Sequence, residues 1–238
     1  MRVCIIIPMH NEEAVAEQCV RTVLPYLDAL PHATSLCIVN DGSRDATPRI
    51  LADLAVELAD ARLAVCHHDT NRGYGAALRT GIRHAIDGAF DYVLFMDSDL
   101  TNHPKYLTLF YKRMSEGVQY IKASRYTVGG AVAGVPFIHR TFSRIGNSVA
   151  RQCYGLPIRD ITNGFRAVHT TLLRQMVFTE DGFAMILEEL TQAKRLGATF
   201  SEVPYTLTSR GRGEGSSHLS YGLKTWKQYL GHALRARQ

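Results

Sequence analysis

The sequence predicts an α/β protein built on one open, mostly parallel sheet with helices on both faces, and the pattern along the chain carries that prediction. Short, continuously apolar runs recur at residues 3–7, 36–39, 63–66 and 92–96, each stopped by turn residues. Such runs mark strands buried on both faces. Between them lie longer stretches with apolar residues at helical spacing, which is the alternation of βαβ units. The polar residues that interrupt the pattern fall just after the run ends: residues 8–12, Asp41, and Asp97 with Asp99. Ligands of open parallel sheets bind beyond the carboxyl ends of the strands, so these residues are expected to converge on one edge.

Each element follows from local chemistry. Pro8 ends the first strand, and the next helix places Val15, Cys19, Val23 and Leu27 on one stripe, with Asn11 as its cap and Glu12 and Glu13 at the positive end of its dipole. The second strand ends in Asn40-Asp41-Gly42-Ser43, and Asp45 is placed to cap a helix whose stripe runs through Ile50, Leu54 and Leu58. After the third strand, Asn71-Arg72-Gly73-Tyr74-Gly75 opens a helix reaching about His84. Its glycines permit a close backbone approach, but the spacing matches neither a dinucleotide fold nor a phosphate loop. A fifth strand covers residues 120–126 and ends in an arginine; a helix follows over 138–154, then a polar turn at 160–166, a helix over 185–196, and a short strand at 202–205 with an edge-type Pro204. Arg210, Arg212, Ser216 and Ser217 give a glycine-rich loop four anion ligands, the composition of a segment that closes over a ligand.

A chain of 238 residues is long enough for one large α/β domain. With 46% apolar and 21% charged residues it is not a disordered chain. The net charge of +5 is uneven: no acid follows Glu214, whereas Lys224, Lys227, Arg235 and Arg237 do, which implies an anionic partner near that end. On a helix over 219–238, Leu219, Leu223, Trp226, Leu230 and Leu234 share one face; it either packs on the domain or lies on an anionic membrane. The five cysteines, Cys4, Cys19, Cys37, Cys66 and Cys153, show no Cys-x-x-Cys pair and no metal-ligand spacing, and read as free thiols of a reducing compartment. No stretch approaches the roughly 20 apolar residues that span a bilayer, and residues 3–7 are too short for a signal-peptide core. A cytoplasmic protein is expected, soluble or peripheral on the cytoplasmic face of the membrane. Nucleic acid is excluded as a partner, because no recognition module is present and aromatics do not cluster with the basic residues.

Asp97-Ser98-Asp99 is the sharpest chemical signal. Two carboxylates just past a strand end can face one hard cation, and Mg²⁺ or Mn²⁺ takes one or two protein carboxylates and completes its shell with substrate phosphates and water. The same triplet alone also suits a solvated turn. Convergence with Glu12 and Asp41 at the same edge favours the site.

Taken together, the motifs resemble family 2 inverting glycosyltransferases of the GT-A fold, and within them the dolichyl-phosphate mannose synthases and bacterial polyprenyl-phosphate glycosyltransferases. The resemblance runs in order through Ile7-Pro8-Met9-His10-Asn11-Glu12, Val39-Asn40-Asp41-Gly42-Ser43, Asn71-Arg72-Gly73-Tyr74-Gly75-Ala76-Ala77, Asp97-Ser98-Asp99-Leu100, Ala123-Ser124-Arg125-Tyr126, Thr162-Asn163-Gly164-Phe165-Arg166 and Glu202-Val203-Pro204. It implies a single Rossmann-like domain: a nucleotide-sugar half over 1–125, an acceptor-side half with a donor-covering loop over 126–218, and the basic helix over 219–238. By that resemblance Pro8, His10, Glu12, Asp41 and Ser98 contact a nucleotide sugar, Arg210 covers it, and Asp97 and Asp99 hold the metal, Asp99 directly and Asp97 directly or through water; the third ligand is Asn102 or a water molecule. Arg125, Ser143 and one of His139 or Arg140 match positions that grip an acceptor phosphate. The sequence departs from the family at Thr101-Asn102-His103-Pro104, which carries an extra residue, and at Ser216-Ser217-His218, where His218 takes the place of a lysine. A histidine there makes donor binding weaken as pH rises through its range.

The implied reaction is metal-dependent, inverting transfer of a hexose, with mannose from GDP-mannose favoured over a UDP-hexose, to a polyprenyl phosphate. A phosphate monoester is mostly dianionic at pH 7, its second pKa being about 6, and attacks without a protein base. A hydroxyl acceptor requires one, and Glu188 or Glu189 is the residue for it. Asp99, Arg125 and Glu188 are therefore the catalytic candidates. A non-catalytic nucleotide-sugar-binding module is the alternative of another class.

Overall fold

The computed structural model describes residues 1–134 and 137–208, and of residues 137–140, 142 and 153 the backbone only. Arg210, His218 and the helix expected over 219–238 lie outside the described residues. The elements run β1 (Arg2–Met9), α1 (Ala16–Asp28), β2 (Ala33–Asp41), α2 (Thr47–Leu58), β3 (Leu63–His68), α3 (Tyr74–Asp87), β4 (Tyr92–Phe95), α4 (Leu107–Ser115), β5 (Tyr120–Ser124), β6 (Ala131–Val132), α5 (Phe137–Tyr154), β7 (Arg166–His169), α6 (Thr170–Leu173), α7 (Met185–Arg195), β8 (Phe200–Pro204) and β9 (Thr206–Leu207). A seven-stranded sheet has the order β3-β2-β1-β4-β7-β5-β8, and β6 and β9 form a separate parallel pair. Every pairing in the large sheet is parallel except those of β7, which runs antiparallel to both neighbours.

The continuous apolar runs are explained by cover on both faces. Val3, Ile5 and Ile7 of β1 point into a core closed by α1, α2 and α4, while Cys4 and Ile6 point into a second core closed by α3, α6 and α7. Because successive side chains in a strand alternate between faces, each run must be apolar at every position. Pro204 sits on β8 at the sheet edge, where its missing N–H costs no ladder bond.

Two expectations are corrected. Asn11 does not cap α1, which begins at Ala16 after Val15 with no side-chain cap. Glu12 carbonyl oxygen instead accepts the Val15 and Ala16 amides at 3.0 and 2.9 Å, and Asn11, with a φ of 54°, turns its Oδ1 to the Arg44 amide. The loop after β1 is spent on pairing with the loop after β2. Secondly, the polar turn at 160–166 runs directly into β7, a strand that the sequence reading did not contain. A buried arginine at its first position broke the apolar signature. Asp45 stands one residue ahead of the expected cap position of α2, which Ala46 occupies without a side-chain cap, and accepts the Thr47 amide at 3.0 Å.

Candidate active site

The carboxyl ends of β1, β2 and β4 lie side by side, so their loops meet at one edge. Those after β1 and β2 are laced together. The Asn11 amide donates to Ser43 Oγ at 2.9 Å, the Glu12 amide to Thr47 Oγ1 at 2.9 Å, and the Ala46 amide to Glu13 Oε2 at 2.8 Å. His10 Nδ1 lies 2.8 Å from the Asp41 carbonyl oxygen. A carbonyl only accepts, so the proton is on Nδ1, and Nε2 is left to accept from Asn11 Nδ2 at 3.1 Å. Asp41 itself is buried. Its Oδ1 accepts from His68 Nδ1 at 2.6 Å and from the Arg72 amide at 2.9 Å, and its Oδ2 from the Gly73 amide at 2.8 Å. His68 Nε2 in turn meets Thr80 Oγ1 at 2.8 Å. Asp41 therefore holds the start of α3 against the end of β2.

The glycines of residues 73–75 serve a protein neighbour. The Gly75 amide donates to the Asp181 carbonyl oxygen at 2.6 Å, and a Cβ built on Gly75 would lie 2.3 Å from the Glu180 carbonyl oxygen. On Gly73, whose φ is 96°, a Cβ would lie 2.5 Å from the Asp181 carbonyl oxygen. Arg79 completes the joint by donating to the Glu180 carbonyl oxygen at 2.7 Å and pairing with Asp181. Between the two glycines, Tyr74 stacks on Phe183 with ring centroids 4.4 Å apart.

Asp97 and Asp99 follow β4, each oriented by its own neighbour. Asn102, buried, donates its amide nitrogen to Asp97 Oδ2 at 2.7 Å. Thr101 donates both its amide, at 3.0 Å, and its hydroxyl, at 2.7 Å, to Asp99 Oδ1. Opposite, Gly164 leaves room: a Cβ there would stand 3.5 Å from Asp97 Oδ1 and from Tyr74 Oη. The Cys19 thiol beneath is pushed up by burial and by the negative charge of Asp99, Glu12 and Asp97, which gather at that point. Burial and Asp97 likewise raise the Tyr74 hydroxyl. An all-oxygen set of clustered carboxylates fits a hard divalent ion.

On the far side of β4 an arginine and a buried aspartate pair. Arg125, at the end of β5, grips the fully buried Asp160 with Nε at 2.7 Å and Nη2 at 2.8 Å, and Asp160 also accepts the Arg125 amide at 3.0 Å. Tyr126 donates to Ser143 Oγ of α5 at 2.8 Å. Asn147 of α5 accepts the Ile161 and Thr162 amides at 2.8 and 3.2 Å, fixing the 160–164 turn between α5 and the sheet. His139 and Arg140 lie on α5, and their side chains are outside the described residues.

Both glutamates of α7 are engaged by hydrogen bonds within the protein. Glu188 accepts from the Thr179 amide at 3.0 Å, the Thr179 hydroxyl at 2.6 Å and the Glu180 amide at 3.1 Å. It clips the segment that meets Gly75. Glu189 is fully buried, bridged to Arg166 at 2.6 and 2.8 Å and accepting from Tyr120 Oη at 2.6 Å. The structure thus brings Pro8, His10, Glu12, Asp41, Ser98 and the two aspartates to one edge, with Arg125 and Ser143 at the β5 end. It adds residues that sequence reasoning passed over: His68 behind Asp41, Thr101 behind Asp99, Asp160 behind Arg125, and the Tyr74–Phe183 stack. Asp160 had a readable signal, an acid in the polar turn at 160–166 just ahead of the motif that starts at Thr162, and Tyr74 lay inside the motif at 71–77.

Residues 4–177 match the family described as Glycosyl transferase family 2. The chain is 31% identical over 229 residues to undecaprenyl-phosphate mannosyltransferase from Micrococcus luteus, covering 94% of this chain and 89% of that protein. It is 28% identical over 216 residues to polyprenol monophosphomannose synthase from Mycolicibacterium smegmatis, covering 88% and 78%. Among solved structures, glucosyl-3-phosphoglycerate synthase from Mycobacterium tuberculosis, in complex with Mn²⁺, UDP and glucosyl-3-phosphoglycerate, superposes with a TM-score of 0.67 at 21% identity, over 99% of this chain and 79% of that one. The same enzyme with Mg²⁺ and UDP gives 0.65 at 21% identity, over 99% and 79%. These neighbours share the GT-A fold, and divalent metal is bound together with UDP in them. With the match spanning most of the sheet and every strand end of the site, the chain is a glycosyltransferase that belongs to glycosyl transferase family 2.

Proposed function

We propose that the protein transfers mannose, with inversion, from a nucleotide sugar to a polyprenyl phosphate. The observation that carries this reading is the state of the two α7 glutamates: one is tied to a turn and the other to a buried arginine, which suits an acceptor that needs no protein base. A phosphate monoester is such an acceptor. Its oxygen attacks the anomeric carbon as the bond to the nucleoside diphosphate breaks, and the electron pair leaves with the diphosphate.

In this reading Pro8, His10, Glu12, Asp41 and Ser98 line the nucleotide side, with Arg210 from beyond the described residues. Asp97 and Asp99 would hold Mg²⁺ or Mn²⁺, with Asn102 and Thr101 orienting them, and a bound ion there supplies neutralisation of the charge that grows on the departing diphosphate. Arg125 and Ser143, with His139 and Arg140 on the same helix, receive the acceptor phosphate; guanidinium forks suit phosphate geometry. Both curated relatives are named for mannosyl transfer to a polyprenyl carrier, which supports mannose, and GDP-mannose is the donor we assign. We assign access to the lipid to a surface contact that includes the basic residues 219–238; no helix among the described residues is long and apolar enough to cross a membrane.

The test is release of nucleoside diphosphate from GDP-mannose and from UDP-glucose, with Mg²⁺ or Mn²⁺, in the presence of a short polyprenyl phosphate or of 3-phosphoglycerate. Acceleration of GDP-mannose turnover by the lipid phosphate is expected. Acceleration by 3-phosphoglycerate alone would replace this reading with transfer to a hydroxyl.

A further inference from the structure

Away from the carboxylate edge, β1, β2 and β3 each place a cysteine on the face covered by α3 and α7. Cys4 and Cys37 are fully buried there, and Cys66 packs against the same cluster. Cys37 Sγ and Cys66 Sγ are 4.0 Å apart, and Cys4 approaches the Cys37 thiol from the other side. α3 adds His84: the ligand atoms of Cys37, Cys66 and His84 all lie within 4.8 Å of one another. Cys66 and His84 are partly exposed, so the cluster opens to solvent at the β3 side of the sheet. Positions 37, 66 and 84 follow no sequence spacing, and only the stacking of two strands and a helix brings them together.

Two plain readings compete with a ligand site, and geometry weighs on each. A latent disulfide is disfavoured by register. Cys66 stands opposite Val39, two residues along from Cys37. From strand separation and rise, that diagonal puts the Cα atoms roughly 8 Å apart, beyond the ~7 Å limit a disulfide spans without backbone movement. Incidental packing of thiols does not account for an imidazole on the same point of an otherwise apolar layer. A tetrahedral zinc ion with Zn–S bonds of about 2.3 Å separates its sulfurs by about 3.8 Å, close to the spacing observed here.

We propose that Cys37, Cys66 and His84 form a binding site for a thiophilic divalent ion of the Zn²⁺ class, separate from the hard-ion site at Asp97 and Asp99. Two sulfurs and one imidazole select zinc over magnesium or manganese, while an oxygen-only set does the reverse, so the two sites sort metals by chemistry. Binding displaces both thiol protons, and three protein ligands leave a fourth tetrahedral position for water. The ion would pin β2 to β3 and both to α3. Those elements carry Asp41, His68 and Thr80, so the site acts as a structural clamp behind the nucleotide edge.

The test uses the full chain, reduced and stripped of metal by a chelator, titrated with Co²⁺ as a spectroscopic probe. One equivalent is expected to produce a thiolate-to-cobalt charge-transfer band in the near ultraviolet, with ligand-field bands of tetrahedral intensity, both removed by added Zn²⁺. Cobalt at the aspartates gives no thiolate band. Cys66→Ser is expected to abolish the charge-transfer band, and His84→Ala to weaken the tetrahedral bands. With Zn²⁺ at a hundredfold over Kd, Tm is expected to rise by about 5–10 °C in wild type and not in Cys66→Ser. Because Cys66 is partly exposed, that variant is expected to melt in chelator at the wild-type temperature, which separates loss of metal from loss of fold. Absence of the thiolate band in wild type, or its persistence in Cys66→Ser, overturns the proposal.

Discussion

At Asp97 and Asp99 the chemistry depends on which oxygens are already committed. Thr101 takes one oxygen of Asp99 twice, and Asn102 takes one of Asp97, whose carboxylate faces Gly164, so each carboxylate is held by its own neighbour. Replacing Asp99 with Asn is expected to abolish metal-dependent transfer. Replacing Asn102 with Ala leaves both carboxylates in place but unorients one, and is expected to raise the metal concentration for half-maximal rate about tenfold to a hundredfold; metal titrations of the transfer rate check both. Glu188 poses the opposite question. Its three donors belong to residues 179 and 180, so Glu188→Gln is expected to keep turnover within a few-fold while lowering stability by about 1–2 kcal/mol. A true base would cost about 10²–10⁴ in rate, and steady-state kinetics beside a urea melt tells the two apart.

Among the elements, the joint between α3 and the segment leading to α7 is the tightest. A methyl group on Gly75 would overlap the Glu180 carbonyl, so Gly75→Ala must push residues 180–181 away and, with them, Phe183 off Tyr74. A loss of about 1–3 kcal/mol is expected, read as a lower denaturation midpoint together with reduced transfer. Here the sequence was legible only by half. The glycines announced a close approach, but their partner lies more than a hundred residues downstream, and nothing local could name it. The strands β1, β2 and β4 were legible because burial on two faces writes an unbroken apolar run. β7 was not, since Arg166 and its partner Glu189 satisfy each other inside the core and leave a strand that begins with a charge. The Asn11 cap failed for a related reason: two loops met, and their mutual hydrogen bonds outweighed the local helix signal.

Across the whole molecule, charge is stored in a buried layer between the sheet and the helices α5 and α7. Arg166–Glu189 and Arg125–Asp160 balance one another, and Lys122 of β5 lies among them fully buried, its Nζ without a hydrogen-bond partner among the described residues. Burial, reinforced by Arg166, lowers its amine from 10.5 to about 7, while Asp160 and Glu189 pull the other way. The unfolded chain keeps the higher value, so between about 7 and 10.5 it binds more protons than the folded one, and stability from this group climbs as pH rises through that window. Below about 7 the penalty of the buried cation is complete. Lys122→Met is therefore expected to stabilise the fold by several kcal/mol at low pH, with the gain shrinking toward pH 10.5; urea midpoints across that range measure it, and a gain equal on both sides of the window would refute it. The position of β7 has one more implication, for synthesis. Residues 166–169 separate β4 from β5 in the sheet, although β4 and β5 are neighbours in the chain. While the ribosome is still adding residues at about 5–20 per second, β5 has no strand to join, and the half ending near residue 125 waits with an unpaired edge. A fragment cut at that point would carry the loops after β1, β2 and β4 on a sheet with β4 as an unpaired edge, and a chaperone that binds exposed strand edges would meet this chain before His169 emerges.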